Sequence, residues 1–301
     1  MPTNDPRPTK NQRRDEARAK ALAMRKEQER KAKRNRLLAI IGLSVAVLAL
    51  VAVAFFIVKQ DRDTAAANSS IAYGNGGGDV KPPSLSDVTA PEPANESGAI
   101  PVGKDGVGKP GDGDVVVKVY FDFMCPYCGQ FDAINAKALD EIVADGGVTV
   151  DYHPLSFLDR ASQGTFYSTR TANAAAIVAD QDPEHFTAFV TALYANQPEE
   201  NSKGLTDAKI EEIATGVGVP ADVAATFTDT VDGTFENADG ATENGTWRTF
   251  APWVAATTNQ ATTDLPKLST PTILIDGEAF TDWSTEGALQ AAVEAAKTAK
   301  G

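Results

Sequence analysis

Reactive and metal-binding side chains are scarce in this sequence. Its 301 residues include two cysteines and two histidines. A structural zinc site needs about four Cys or His ligands, and His153 and His185 lie far from each other and from the cysteines along the chain. The ligand count therefore argues against a metal. A disulfide framework is excluded too. Cys125 and Cys128 are three positions apart, and so short a loop restrains little of the unfolded chain. Basic residues are scarce beyond residue 36, where 15 Lys/Arg face 36 Asp/Glu, a balance of −21. Phosphate binding needs a cationic face, so nucleic acid is not expected as a partner. There is no internal repeat and no visible nicotinamide or flavin site, so no cofactor is expected.

What is present begins with the opposite charge. Residues 1–36 hold 13 Lys/Arg and 5 Asp/Glu, a balance of +8. They lead into LLAIIGLSVAVLALVAVAFFIV, residues 37–58, whose only polar side chain is Ser44. About 20 apolar residues in a helix cross the hydrocarbon core of a bilayer. The run predicts one transmembrane helix. A buried core helix fits less well, because a run this uniform has no polar face. A cleaved signal peptide is the stronger alternative, with Ala65-Ala66-Ala67 as a cleavage site, although both its basic and apolar regions would be unusually long. The excess of Lys and Arg before the run places 1–36 in the cytoplasm as a solvated tail and everything after 58 outside it.

Residues 59–97 carry Asn75-Gly76-Gly77-Gly78, Lys81-Pro82-Pro83 and Pro91-Glu92-Pro93 without hydrophobic periodicity. This composition predicts a flexible extracytoplasmic linker. An ordered domain is expected over 98–301. Residues 99–102 read as a short edge strand, and 114–123, rich in β-branched and aromatic residues, as a buried central strand. A helix follows Met124-Cys125-Pro126-Tyr127-Cys128-Gly129, with Phe131, Ile134, Ala138 and Ile142 on one face and its end at Gly146-Gly147. Residues 148–152 form a second strand, parallel to the first. The stretch 160–260 reads as largely helical, with starts at Asp182-Pro183 and Thr206. Trp247, Phe250 and Trp253 suggest a helical aromatic stripe inside it. A hairpin is expected around Asp276-Gly277, then a last helix capped by Ser284 or Thr285, with Leu289, Ala292, Val293 and Ala296 on one face. The order is β-α-β, helices, β-hairpin, helix: an α/β thioredoxin fold with an inserted helical subdomain, preceded by one transmembrane helix.

Two cysteines this close, at the end of a strand and the start of a helix, are better explained by redox chemistry than by stability. Thiol–disulfide exchange needs a thiolate with a second thiol in reach. Unpaired N–H groups and the dipole at a helix N-terminus lower a cysteine pKa. Cys125 is therefore expected to attack and the deeper Cys128 to resolve, with Pro126 at the first helical position. Metal ligation and a chance spacing remain the blander readings of the pair.

The runs Phe121-Asp-Phe-Met-Cys-Pro-Tyr-Cys-Gly-Gln-Phe131 and Ser269-Thr-Pro-Thr-Ile-Leu-Ile-Asp-Gly277 resemble the DsbA-like family of thioredoxin-fold disulfide oxidoreductases. The anchor ahead of them resembles the membrane-anchored Gram-positive members. The resemblance implies that Pro271 is a cis-proline facing the cysteines and that Thr270 offers backbone groups to a substrate. On the residues alone, Thr270-Pro271 is equally an ordinary turn. It implies that Tyr127 tunes the pair, in place of the His of strongly oxidising members, and that the family's frequent buried acid is Val119 here. It also implies dithiol–disulfide exchange with secreted or surface proteins, a membrane partner that recycles the pair, and a monomer. Asp122 is open to two readings, proton transfer or a solvated strand end, and His153 is expected to be structural. A membrane-tethered reductase, or a chaperone-like binding module with incidental cysteines, are the competing functions.

Overall fold

The computed structural model describes residues 71–74 and 80–301 without a break, and 18, 20, 22, 24–28, 30–31, 33–36, 42–43, 47–53, 55 and 59 before them. The chain divides into two units, Met1–Arg62 and Asp63–Gly301. The described positions of the first are helical. Among the described residues no helix is long and apolar enough to cross a membrane. Much of the expected span over 37–58 lies outside them.

In the second unit, β1 (Ile100–Gly103), β2 (Gly106–Val107), β3 (Val115–Asp122), β4 (Val148–Leu155), β7 (Thr272–Ile275) and β8 (Glu278–Phe280) form one mixed sheet in the order β2-β1-β4-β3-β7-β8. β3 is central. It runs parallel to β4, from Val115 opposite Val148 to Asp122 opposite Leu155, and antiparallel to β7. Its apolar alternation serves two faces. Val115, Val117, Val119 and Phe121 join the main core, and Tyr120 joins a smaller cluster with Leu155, Ala261 and Leu265. A strand covered on both faces accounts for the dense Val and aromatic run. The turn at Asp276-Gly277 has positive φ at both positions, 48° and 91°, as a two-residue hairpin requires.

Helix α1 (Pro126–Asp145) buries Cys128, Phe131, Asn135, Leu139 and Ile142. The buried face is thus rotated from the one expected, since Ile134 and Ala138 are only partly covered. A polar residue in the stripe hid it. The Asn135 amide donates to the carbonyls of Phe131, 3.0 Å, and Trp283, 2.9 Å, so it ties α1 to the loop before the final helix at no cost in unpaired polar groups. That final helix, α7 (Ala288–Lys300), starts at Gly287 in the left-handed region and not at Ser284 or Thr285. Thr285 instead donates its hydroxyl to Asp282.

The inserted region holds α2 (Tyr167–Gln181), α3 (Phe186–Ala195), α4 (Asp207–Gly216), α5 (Ala221–Ala225), the hairpin β5 (Thr230–Glu236) with β6 (Thr242–Arg248), and α6 (Ala251–Asp264). Phe186, Phe189, Val190 and Leu193 are buried on α3, and Thr206 caps α4 by accepting from the Lys209 N–H at 3.2 Å. The hairpin corrects the reading of this stretch as helical. Trp247 lies in β6 while Trp253 lies in α6, so the aromatics make no single stripe. β5 is mostly solvent-exposed and β6 is exposed over its first three residues, and hydrophobic alternation is correspondingly faint.

The hairpin finds its apolar cover in the segment expected to be a free linker. Tyr73 meets Trp247 edge-on at 5.3 Å and Phe235 at 6.0 Å, and the Ala72 N–H donates to the Thr246 carbonyl at 2.9 Å. Val80 is buried, and Leu85, Val88 and Ala94 pack on the main core. The ordered part therefore starts ahead of residue 98. Proline and glycine obscured this, because the anchoring side chains are too widely spaced to show a period.

Helix α2 is buried along thirteen successive residues, which places the Arg170 charge in the interior. Asp207 pairs with it and with Arg248, at 2.7 and 2.9 Å, joining α2, α4 and β6. Two cations hold the Asp207 carboxyl below its ordinary value against the opposing effect of burial. Replacing Asp207 with Ala leaves two buried guanidiniums facing each other, and breaking such a pair costs about 3–5 kcal/mol. The expected result is a fall in urea-unfolding free energy of about that size, with the Lys209→Ala change, which breaks only an exposed pair, near zero.

Candidate active site

β3 ends at Asp122, and the chain turns directly into α1. The Cys125 N–H donates to the Asp122 carbonyl at 3.0 Å, and the Cys128 N–H to the Cys125 carbonyl at 3.0 Å. Cys125 occupies the N-cap with extended backbone, and Pro126 stands at the first helical position, where a missing N–H is harmless. Both cysteines are free thiols and both are buried, Cys125 at 4% and Cys128 at 1% exposure, whereas Tyr127 between them is 60% exposed. The loop from β7 closes the other side. The Thr270–Pro271 bond is cis, and the Cys125 thiol donates to the Thr270 carbonyl at 3.2 Å. All six residues singled out in the sequence thus meet or adjoin at one place.

The two thiols differ. Cys125 is lowered to about 6, chiefly by a hydrogen bond from the Cys128 thiol, with Thr270 and the N–H groups of Cys128 and Tyr127 adding to it against partial burial. Burial and the neighbouring sulfur push Cys128 well above the usual thiol range. The Thr270 hydroxyl is buried and has no hydrogen-bond partner among the described residues. It is free to donate to a thiolate at Cys125, while the Thr270 carbonyl accepts from the thiol.

Asp122 is fully buried, so the reading as a solvated strand end is wrong. Its carboxylate accepts from the Met124 N–H at 2.9 Å, the Leu158 N–H at 3.0 Å and the Ser168 hydroxyl at 2.6 Å. Three donors favour the charged form, but desolvation outweighs them and raises the pKa to about 7. Val119, at the position where the resemblance places an acid, is apolar and buried. A buried acid, Asp122, lies three residues before Cys125 instead. His153 lies within β4 and stacks on Tyr120 at 4.2 Å. Burial lowers its pKa to about 3, and neither ring nitrogen has a partner among the described residues. It belongs to the packing of the sheet, not to the thiols. Asp182, Glu184 and His185 bring ligand-type atoms within 4.8 Å of one another, but His185 and Asp182 already pair at 2.8 Å.

The sequence reading missed the contribution of α3. Tyr194 lies near its end and Gln197 just beyond it. The Tyr194 hydroxyl donates to the Asp122 carbonyl at 3.4 Å, and the Gln197 amide to the carbonyls of Phe123 and Cys125, both at 2.9 Å. Neither residue lies near the cysteines in sequence, and no local pattern marks them.

The thioredoxin family model matches residues 107–295. The chain belongs to the thioredoxin family. Its structural neighbours within that family are DsbA-like. An oxidised Mtb DsbA is 30% identical, with a TM-score of 0.51, over 66% of this chain and 92% of that one. The disulfide oxidoreductase DsbG from Mycobacterium tuberculosis, in its reduced form, is 27% identical with a TM-score of 0.51, over 67% and 88%. MdbA from Actinomyces oris, a thiol–disulfide oxidoreductase, shares the fold at 21% identity and a TM-score of 0.53, over 71% and 96%. Among curated proteins, the serine/threonine-protein kinase PknE of Mycobacterium tuberculosis is 39% identical over 106 residues, 34% of this chain. The match spans only 19% of that kinase's length.

Two pH effects follow from this thioredoxin-family site. Asp122 has a folded-state pKa above its unfolded value, so the folded state binds more protons between about pH 4 and 7 and loses stability as pH rises through that window. An Asp122→Asn variant is expected to lack this slope. The wild-type minus variant difference in unfolding free energy should fall from pH 4 to 7 by at most about 4 kcal/mol and stay level outside it. A flat difference would mean that Asp122 is ionised throughout. Separately, Thr270→Val removes the hydroxyl donor and should raise the pH midpoint of Cys125 alkylation by iodoacetamide above about 6, leaving Cys128 unreactive in the fold.

Proposed function

We propose that this chain is a membrane-anchored, extracytoplasmic thiol–disulfide oxidoreductase of the DsbA type that passes a Cys125–Cys128 disulfide to cysteines of secreted or surface proteins. The observation that carries the reading is the unequal pair. One thiol, at a helix N-terminus and bonded to the Thr270 carbonyl, has its pKa lowered to about 6, and its neighbour is buried with a raised pKa. In the oxidised enzyme a substrate thiolate attacks the Cys125 sulfur. The S–S bond breaks, a mixed disulfide forms, and Cys128 leaves and takes up a proton. A second substrate thiolate attacks the substrate's own sulfur, and Cys125 departs as a thiolate. The substrate loses two electrons and the enzyme gains them.

The direction rests on that thiolate. Stabilising Cys125 in the reduced enzyme makes the disulfide a better oxidant. A pKa of about 6 lies between the thioredoxin value near 7 and the DsbA value near 3.5, and it favours a moderately oxidising pair. Anchoring is supported by the sequence, with its basic tail and the apolar run 37–58. A membrane oxidase that recycles the pair and a monomeric state complete the proposal. The catalysis uses the sulfurs alone and takes no metal or organic cofactor. A reductase is the second reading, favoured by Tyr127 standing between the cysteines in place of the His of strongly oxidising members of the DsbA-like family.

The full chain equilibrated against glutathione buffers is expected to give a reduction potential between about −270 mV and about −120 mV, the thioredoxin and DsbA values. A value at or below the thioredoxin end would reverse the direction of flow. In cells, Cys128→Ser should accumulate mixed disulfides on Cys125, and Cys125→Ser should accumulate none. If the double Cys125→Ser/Cys128→Ser variant retained full function, the enzyme reading would fall to the binding-module one.

A further inference from the structure

We propose that Gln197 is a positioning residue for Cys125, and that Gly129 is glycine in order to admit it. The inference rests on the thiol–disulfide reading and names the part of the inserted subdomain that acts on the pair.

Gly129 poses the problem. It lies in the first turn of α1, inside a helix, where glycine is less favourable than alanine. Its φ is not positive, so the backbone does not demand it. A Cβ built on Gly129 would instead fall against Oε1 of Gln197, closer than real Cβ contacts come, with the amide carbon at 3.2 Å. The helix gives up an alanine's worth of stability to let one side chain approach.

That side chain uses both hydrogens of its amide. Nε2 donates to the Phe123 carbonyl and to the Cys125 carbonyl, each at 2.9 Å. The Cys125 carbonyl also receives the N–H groups of Cys128 and Gly129, at 3.0 and 3.3 Å. One residue earlier than Phe123, the Tyr194 hydroxyl holds the Asp122 carbonyl. The end of α3 therefore grips three backbone carbonyls that bracket the attacking cysteine. Gln197 is itself fixed, since its N–H donates to the Tyr194 carbonyl at 3.1 Å.

The consequence is electrostatic. The backbone N–H groups of Tyr127 and Cys128 help lower the Cys125 pKa, and they do so only while the loop keeps them aimed at the sulfur. Removing the amide frees the loop and takes one donor from each of the Phe123 and Cys125 carbonyls, of which Cys125 keeps its two helical N–H partners. Both effects disfavour a thiolate.

The experiment measures the pH dependence of Cys125 alkylation by iodoacetamide in the reduced full chain, with urea unfolding in parallel. Gln197→Ala should raise the midpoint enough to cut the rate near pH 6 at least threefold, with the limiting rate at high pH unchanged. Gln197→Glu, which sets a carboxylate against two carbonyls, should raise it further. Gly129→Ala should act in the same direction, and the Gly129→Ala/Gln197→Ala double variant should show no more shift than Gln197→Ala alone. Lost stability with an unmoved midpoint in both Gln197 variants, or additive shifts in the double variant, would overturn the proposal. Wild-type protein that alkylates as expected but does not exchange disulfides would sink the enzymatic reading and leave this one standing.

Discussion

The junction between β3 and α1 is the constraint on which the rest of the site depends. A central strand must stop and a helix must start within three residues, and the exchange is closed by the Cys125 N–H on the Asp122 carbonyl. That bond sets Cys125 at the N-cap, where the first N–H groups of a helix have no internal partner. Pro126 next to it has a fixed φ and no N–H to satisfy. The same geometry that ends the strand thus exposes a sulfur to unpaired donors. The Cys128 sulfur is then carried one turn inward by the helix itself, into the core beside Phe131. Neither position can move without moving the sheet.

The inserted subdomain belongs to this junction and is not an appendage to it. The Asp122 carboxylate is buried where the strand ends, and two of its three donors, Leu158 N–H and Ser168, come from residues after β4. The carbonyls of Asp122, Phe123 and Cys125 are met by Tyr194 and Gln197. Without those helices the loop would carry a desolvated acid stripped of two of its donors and a Phe123 carbonyl stripped of the Gln197 amide, each costly in a buried setting. The insertion is in turn held by the Arg170–Asp207–Arg248 network. A thioredoxin sheet and a helical block are therefore folded around one shared polar seam.

The parts of this architecture that were legible in the sequence are those with a period or a turn signal. Val115–Phe121 could only be a covered strand, Asp276-Gly277 could only turn tightly, and the position of Cys125 followed from the strand ahead of it and Pro126 after it. What escaped was polar and long-range. Asn135 sits in a buried stripe because its amide has two carbonyls to reach, which no apolar pattern can announce. Asp122 reads as a surface carboxylate until Leu158 and Ser168 are placed beside it. The β5–β6 hairpin has few apolar side chains of its own and borrows Tyr73 from a stretch whose glycines and prolines suggest a free tether. Each miss is a residue whose partner lies tens of positions away, so the deciding energy is absent from any local window.

The inequality of the two thiols bears on the direction of exchange through kinetics as well as equilibrium. A mixed disulfide on Cys125 can be broken in two ways. Cys128 can attack the Cys125 sulfur and return the substrate as a thiol, or a second substrate thiolate can attack the substrate sulfur and expel Cys125. The first route needs a thiolate at Cys128, whose burial holds it protonated at neutral pH. The second expels the sulfur with the lower pKa, and a lower pKa makes a faster leaving group. The hydrogen bond from Cys128 to Cys125 works on both sides of this choice, since it steadies the departing thiolate by keeping the proton on the competing nucleophile. On the proposed reading, the same interaction that makes Cys125 reactive also delays Cys128 from undoing the transfer. That delay gives a protein substrate, whose second cysteine must diffuse into place, time to complete its own disulfide.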